Sequence, residues 1–121
     1  MSAQKHTLGR WGESLAVEYL TEHGYKVIER NVYTPYGELD IVALQDEDVV
    51  FVEVKTRRTL SFGMPEESIT LRKQEHLIEA AQAYLQEHPE FSGDWRIDVI
   101  AIHIKKPNAR PDIRHIENAV S

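Results

Sequence analysis

The chain has 121 residues, of which 41% are hydrophobic and 28% are charged, so its length and composition are those of one globular domain. This apolar content excludes a chain that is disordered throughout, and no apolar run approaches the ~18 residues of a membrane-spanning helix. Because the sequence contains no cysteine, a disulfide scaffold, a thiolate nucleophile and a cysteine-based zinc site are excluded. The N-terminal residues do not resemble a secretory signal, so we expect a cytoplasmic protein that does not associate with membranes.

Charge is distributed unevenly along the chain. The formal net charge is −6, from 20 acidic and 14 basic residues, which argues against a protein that simply coats nucleic acid. Residues 31–54 contain six acidic residues and no Lys or Arg, and Lys55, Arg57 and Arg58 follow directly. An acidic centre with basic flanks suits a site where carboxylates hold a divalent cation and arginines approach phosphate. The charge pattern alone favours a plainer interpretation, in which a solvated acidic loop accompanies scattered surface charge.

Apolar residues at helical spacing predict a first helix over residues 7–23. Thr7 is the predicted N-cap, and Gly24 is the predicted C-terminal stop. The predicted apolar face comprises Leu8, Trp11, Leu15, Ala16, Tyr19 and Leu20. Gly12 falls on this face, where the absence of a side chain would allow the helix to approach a sheet closely.

Short runs rich in β-branched and aromatic residues predict strands along the rest of the chain. They cover residues 25–33, 38–44, 49–56, 95–104 and, as a short edge strand, 113–120. A loop at residues 60–65 and a second helix over residues 68–87 separate the third strand from the fourth, and Pro89 follows the helix as a stop. The fourth strand is apolar on both faces, which predicts an internal position in the sheet.

The predicted element order is α-β-β-β-α-β-(β), which indicates an α/β fold with a mixed β-sheet flanked by helices. The third strand, second helix and fourth strand form a β-α-β unit, so those two strands should be parallel. We expect a single domain over residues 1–121, with a core at about residues 7–104 and a C-terminal extension at residues 105–121.

Two neighbouring strands carry carboxylates that the hairpin should bring together. Because side chains alternate between faces, Glu38 and Asp40 should share one face of the second strand, and Leu39 and Ile41 should share the other. The same alternation places Glu53 on one face of the third strand together with the lysine two residues further on.

A symmetric turn between these strands would set Asp40 opposite Glu53, and Glu38 opposite Lys55. Two ionised carboxylates directly opposite each other repel unless a positive charge lies between them. A hard cation such as Mg²⁺, which prefers carboxylate oxygens, would provide that charge. Solvated surface ion pairs, each worth ~0–1 kcal/mol, are the alternative, and the spacing alone leaves both possibilities open.

The segments Gly-Glu-Leu-Asp-Ile-Val at residues 37–42 and Val-Phe-Val-Glu-Val-Lys-Thr-Arg at residues 50–57 resemble a known signature. It is the Asp and Glu-x-Lys signature, PD-(D/E)xK, of the restriction-endonuclease-like nuclease superfamily. More narrowly, the chain resembles the YraN family of bacterial proteins over about residues 8–104. Further matching segments are residues 9–13, 24–25, 30–31 and 96–100.

The resemblance implies a restriction-endonuclease-like fold and a set of site residues. Asp40 and Glu53 match the metal-binding carboxylates, which would take Mg²⁺ or Mn²⁺, and Lys55 matches the catalytic lysine. Glu13 matches a helix-borne glutamate of the archaeal Holliday-junction resolvases and would be a third metal ligand. Leu39 stands where the best-known form of the signature has proline, so the substrate of restriction enzymes does not transfer to this chain.

Four residues near this signature are candidates for contact with nucleic acid, and each also has a plain structural interpretation. Arg57 and Arg58 would bind backbone phosphate, or would form a solvated strand end. Lys73 and Gln74 would contact phosphate at the edge of the site, or would belong to a partly buried helix start.

Asp98 interrupts an otherwise apolar strand, which predicts a hydrogen-bonded structural role with Lys73 or Arg96. The six histidines show no spacing typical of a zinc site.

The resemblance, together with these patterns, implies a metal-dependent endonuclease in which Asp40, Glu53 and Lys55 are catalytic and nucleic acid, DNA more than RNA, is the partner. A homodimer is compatible with this function, because cutting two strands commonly uses two sites. The alternative is a nucleic-acid-binding or partner-binding module that retains the nuclease fold without turnover. A structural domain with surface ion pairs is the third hypothesis.

Overall fold

The structure is a computed structural model that describes residues 3–58 and 69–120, with side chains from residue 8 onward. The elements, in chain order, are α1 (Ala3–Glu22), β1 (Lys26–Thr34), β2 (Gly37–Gln45), β3 (Asp48–Arg57), α2 (Leu71–Gln86), β4 (Trp95–His103) and β5 (Asp112–Val120). The predicted order of elements is confirmed. The predicted loop at residues 60–65 lies outside the described residues. The second helix begins at Leu71, later than the predicted start at about Ser68, because Thr70 caps it.

The strands form a five-stranded sheet in the order β1-β2-β3-β4-β5. Strands β3 and β4 are parallel, and every other neighbouring pair is antiparallel, so the predicted mixed sheet is confirmed. Strand β4 is internal, as its apolar character on both faces predicted, and β5 is an edge strand. Val120 of β5 is buried in the same cluster as Leu77 of α2, so the C-terminal strand contributes to the core.

The two helices cover opposite faces of the sheet. The side chains of β3 alternate between two clusters: Phe51 packs with Leu77 of α2, whereas Val52 packs with Leu20 of α1. Removing both sets of apolar side chains from water is the main favourable contribution to folding. Neither helix, within the described residues, has the length and apolar character needed to cross a membrane.

The first helix differs from its prediction at two points. It begins at Ala3, so the prediction that Thr7 is its N-cap is wrong. The residues before Thr7 are ordinary helix formers without apolar periodicity, and a prediction based on periodicity therefore misses them. Trp11 is 41% exposed, so the buried face is narrower than predicted and centres on Ala16 and Leu20.

Gly12 and Gly24 have the roles that the sequence predicted. A Cβ atom at Gly12 would clash with the Thr56 Oγ1 atom, which shows how closely α1 approaches β3. Gly24 has a φ angle of +88°, in the left-handed region that commonly terminates helices. Thr70 is the N-cap of the second helix, and its Oγ1 accepts a hydrogen bond of 3.1 Å from the Lys73 backbone N–H.

Candidate metal centre

Strands β2 and β3 separate at the point where their carboxylates lie. Their pairing runs from Gln45 opposite Asp48 to Ile41 opposite Val52, which confirms the predicted register but ends one residue before Asp40. There the Asp40 Oδ2 atom accepts a hydrogen bond of 2.9 Å from the backbone N–H of Val54. The side chain of Asp40 thus occupies the gap between the strands and takes the place of a strand partner.

The prediction that β2 and β3 continue to pair beyond this gap is wrong. Glu38 lies opposite Tyr33 of β1 and not opposite Lys55, and among the described residues the ion pair of Lys55 is with Glu53. Because the strands have already separated, Asp40 and Glu53 are also not a cross-strand pair.

The alternation of side chains is interrupted in the same place. Leu39 packs in the cluster under α2, whereas Ile41 packs in the cluster under α1, so the prediction that they share a face is wrong. The neighbouring strand supplies the reason, because Asn31 has a φ angle of +53° and lies in the left-handed region. Such a residue kinks the pleat of β1. The pairing of β1 with β2 is regular on either side of it, but Asn31 and Asp40 are not paired with each other.

Three carboxylates from α1 and β2 converge beside this gap. Glu13, Glu38 and Asp40 each offer an oxygen atom, and these oxygens all lie within 4.8 Å of one another. All three residues are partly buried. The structure therefore brings Glu13 to Asp40, and it adds Glu38, which the sequence interpretation had assigned to an ion pair. The spacing of two residues between Glu38 and Asp40 is the signal that could have identified it.

Glu53 approaches the gap from the α2 side of the sheet. The residue is 5% exposed, and its Oε2 atom lies 3.6 Å from the Nζ atoms of both Lys55 and Lys73. The other carboxylate oxygen, Oε1, is buried and has no hydrogen-bond partner among the described residues. A buried acceptor without a partner is costly, and the cost is greater for a charged group.

Crowding of negative charge perturbs the acidity of this cluster. Burial, followed by the charge of Glu53, raises the pKa of Asp40 from 3.8 to about 8, and the hydrogen bond from Val54 only partly opposes the increase. The pKa of Glu13 is also raised, mainly by burial and then by the charge of Glu38. A positive charge in the gap would favour the ionised form of each carboxylate.

The donor set fits a hard divalent cation. Each available ligand is a carboxylate oxygen, which Mg²⁺ and Mn²⁺ accept and which softer metals select less strongly. Glu53 is not one of the three residues whose oxygens lie within 4.8 Å of one another, although its charge contributes to the raised pKa values of Asp40 and Glu13. A cation held by the three would relieve their mutual repulsion, and one that Glu53 also reached would give its Oε1 atom a partner.

The four residues that the sequence predicted to contact nucleic acid differ in their structural environment. Lys73 reaches the centre through its ion pair with Glu53. Gln74 donates a hydrogen bond of 3.2 Å to the Ile69 carbonyl, so it holds the chain ahead of α2. Arg57 and Arg58 are exposed at the end of β3, beyond the lysine that pairs with Glu53.

Asp98 has the structural role that the sequence predicted, and its partner is Arg96. The buried Asp98 carboxylate lies 2.9 Å from Arg96 Nε and 2.7 Å from His115 Nε2, and it accepts a hydrogen bond of 2.9 Å from the Asn118 backbone N–H. The alternative prediction, that Lys73 is the partner of Asp98, is wrong because Lys73 pairs with Glu53. Asp98 is therefore satisfied by its own network and is separate from the metal centre.

Comparison with known proteins identifies relatives over almost the whole chain. Residues 12–102 match the family model described as "Uncharacterised protein family UPF0102". A UPF0102 protein from Syntrophomonas wolfei is 49% identical over 112 residues, which cover 93% of this chain and 96% of that protein. One from Syntrophotalea carbinolica is 44% identical over 119 residues, which cover 98% and 95% of the two chains.

Among solved structures, the chain is similar to SfsA from Pyrococcus furiosus in complex with Ca²⁺. The TM-score is 0.42 at 17% sequence identity, and the match covers 97% of this chain and 65% of that one.

Proposed function

This chain belongs to UPF0102, a family of uncharacterised function, and we propose that it is a metal-dependent endonuclease that hydrolyses phosphodiester bonds in nucleic acid, in DNA more than in RNA. The observation that carries the proposal is the buried, unpartnered Oε1 atom of Glu53, beside the carboxylate-filled gap and with Lys55 on its other oxygen. A structural ion pair would not require an orphaned oxygen at this position. We expect the protein to act in the cytoplasm, and a homodimer would bring two sites to one substrate.

In this proposal, Asp40 and Glu53 hold one Mg²⁺ or Mn²⁺ ion, with Glu13 as a further ligand. Glu38, within 4.8 Å of the Glu13 and Asp40 oxygens, joins them directly or through water. A bound divalent cation supplies Lewis-acid polarisation of the phosphoryl oxygen and lowers the pKa of water. The chain's own contribution is to fix these ligands on three different elements, so that their geometry is set before substrate arrives.

Lys55 is the proposed catalytic cation. Its Nζ atom lies 3.6 Å from Glu53 Oε2, so the ammonium group is held at the centre, and the side chain as a whole is 28% exposed. From this position it can donate hydrogen bonds to a phosphate oxygen on which negative charge develops, or orient the attacking water. Lys73 contacts the same carboxylate oxygen and is proposed to contact phosphate together with Gln74, Arg57 and Arg58.

Asp40 must change protonation state as the cation binds. With a pKa of about 8, it is largely protonated at neutral pH in the metal-free protein. A carboxylate ligand coordinates in its ionised form, so metal binding releases the proton. The affinity for the cation is therefore expected to rise with pH up to about 8.

The test is cleavage of labelled single-stranded, nicked and branched DNA in Mg²⁺ and in Mn²⁺. Lys55→Ala is expected to reduce the rate at least ~100-fold, the loss typical when a donor to developing negative charge is removed. The matched control is Lys26→Ala, because Lys26 is exposed at the opposite end of the sheet from the carboxylates.

Equal cleavage by the wild type and Lys55→Ala would contradict the proposal. Salt-sensitive binding of nucleic acid without cleavage in either metal would instead support a non-catalytic binding module.

A further inference from the structure

Exposed aromatic side chains are concentrated on α1, on β1 and in the turn from β1 into β2. Among the described residues, five large hydrophobic side chains are exposed, and three of them, Trp11, Tyr33 and Tyr36, are aromatic residues of α1, β1 and the turn into β2. Tyr33 is 80% exposed. Single exposed apolar residues are ordinary on protein surfaces, but Tyr33 lies next to the cluster of carboxylates.

Strand pairing places Tyr33 at the rim of the metal centre. It is the cross-strand partner of Glu38, one of the three convergent carboxylates. The backbone of β1 thus holds Tyr33 beside the carboxylates while its side chain is open to solvent.

An aromatic ring that is carried by a strand and open to solvent can act as a stacking platform. Proteins that bind single-stranded nucleic acid stack successive bases on such aromatic rings, and the interaction tolerates any base because each has a π-face. A continuous duplex cannot use the platform, because every base face is already covered by its neighbours. Arg10 is exposed on α1, the helix that carries Glu13, and would supply a cation for phosphate.

We propose that Tyr33 stacks on an unpaired base next to the scissile phosphate, so that the substrate class is nucleic acid with unpaired nucleotides at the cleavage site. The proposal rests on the proposed nuclease function and specifies its substrate. Single strands, flaps and the unpaired arms of branched molecules belong to this class, and continuous duplex does not.

The test is equilibrium binding of a fluorescently labelled oligodeoxythymidylate in Ca²⁺, measured by fluorescence anisotropy. Tyr33→Ala is expected to weaken binding about fivefold to a hundredfold, the range for loss of one base–aromatic stack. Tyr33→Phe keeps the ring and is expected to retain most of the affinity. Trp95→Leu is the control, since Trp95 is exposed at the opposite end of the sheet, and leucine preserves its apolar contact with Phe51.

An abasic series then locates the stacked base. One abasic nucleotide is placed at successive positions in the oligonucleotide, and each is measured with the wild type and with Tyr33→Ala. We expect one position at which the abasic change weakens binding by the wild type but has little further effect on Tyr33→Ala, which is the coupling expected of direct contact. Thermal unfolding of each variant establishes that it is folded.

The outcomes separate this inference from the nuclease function. Equal affinities of the wild type and Tyr33→Ala, or no coupling at any abasic position, would overturn the stacking role even if DNA is cleaved. Equal affinity of the wild type for matched single-stranded and duplex DNA would overturn the substrate class. Intact coupling without cleavage in any metal would support the stacking role while contradicting the nuclease.

Discussion

The Oδ2 atom of Asp40 accepts a hydrogen bond of 2.9 Å from the backbone N–H of Val54, just beyond the last paired residues of β2 and β3. This contact satisfies a strand N–H that the separated neighbour no longer reaches. It also fixes the Asp40 carboxylate close to Glu53, whose charge is the second-largest contribution to the raised pKa of Asp40. The gap in the sheet and the perturbed acidity therefore have one structural origin.

Substituting Asp40 by Asn should change the pH dependence of stability in the metal-free protein. Because the pKa of Asp40 is raised from 3.8 to about 8 on folding, its contribution to stability is complete below 3.8 and is lost as pH rises toward 8. Asp40→Asn, which keeps an acceptor for the Val54 N–H, should remove this loss. Urea unfolding in EDTA at several pH values should show a smaller decline in stability between pH 4 and pH 8 for the variant. A constant destabilisation by Asp40→Asn at every pH would instead indicate a structural carboxylate.

Mn²⁺ should stabilise the wild-type protein against unfolding. A ligand that binds only the folded state adds about 2.7 kcal/mol at a hundredfold excess over its dissociation constant. The increase should be lost in Asp40→Asn and in Glu53→Gln, because each removes a proposed ligand. It should persist in Asp46→Asn, since Asp46 is exposed in the turn at the other end of β2. Thermal unfolding with EDTA and with Mn²⁺ measures this increase in stability. A wild-type protein whose stability does not change with Mn²⁺ would argue against the metal centre.

The sequence was sufficient to predict the order of elements because periodicity reports which faces are buried. The parallel pairing of β3 and β4 follows from the helix between them, and the register of the β2–β3 hairpin follows from its short turn. The presence of Glu13 beside Asp40 followed from a family resemblance, since spacing alone cannot place a helix residue against a strand.

The details of the carboxylate cluster could not be predicted from periodicity. The exchange of faces between Leu39 and Ile41 accompanies the left-handed conformation of Asn31, a local backbone state that an alternating pattern does not reveal. Regular alternation continued through that point predicts a Glu38–Lys55 pair that does not form. The end of the β2–β3 pairing at Ile41, and hence the role of Glu38, is also a local departure from the regular ladder that the sequence pattern does not reveal.

Substituting Asp98 by Asn should strongly destabilise the protein without affecting metal binding. Burial opposes ionisation of Asp98, but hydrogen bonds from His115, Arg96 and the Asn118 N–H outweigh it and lower the pKa. Its stabilising effect is therefore present above 3.8 and is lost as pH falls through the lower folded-state value. Removing one partner of a buried ion pair costs about 3–5 kcal/mol, measurable by urea unfolding at pH 7.

Asp112→Asn provides the comparison for that substitution. Asp112 pairs with Lys105 at 2.7 Å, but both side chains are exposed, so solvent screens the interaction. Little change in stability is expected. If Asp98→Asn were equally mild, the buried network would not be a significant source of stability.

Gly12 should prove necessary for the position of Glu13, its neighbour in the chain. A Cβ atom at residue 12 would clash with Thr56 Oγ1, so Gly12→Ala must push α1 away from β3 and carry the Glu13 carboxylate away from Asp40. Overpacking of this kind costs about 1–3 kcal/mol, against a gain of about 1 kcal/mol from the better helix propensity of alanine. We therefore expect a net loss of stability together with weaker Mn²⁺ binding, measured by thermal unfolding with and without the metal.

Gly9→Ala is the matched control for Gly12→Ala, because it makes the same substitution in the same helix. A Cβ atom at Gly9 would have no neighbour within 4 Å, so helix propensity alone should act, stabilising the protein by about 1 kcal/mol with no change in Mn²⁺ affinity. Adding Thr56→Ala to Gly12→Ala removes the clashing hydroxyl. The double variant should recover part of the lost stability and part of the lost Mn²⁺ affinity, because Glu13 can then return toward Asp40. If Gly12→Ala behaved like Gly9→Ala, the close approach of α1 to β3 would not determine where Glu13 lies, and its role as a metal ligand would lose its structural basis.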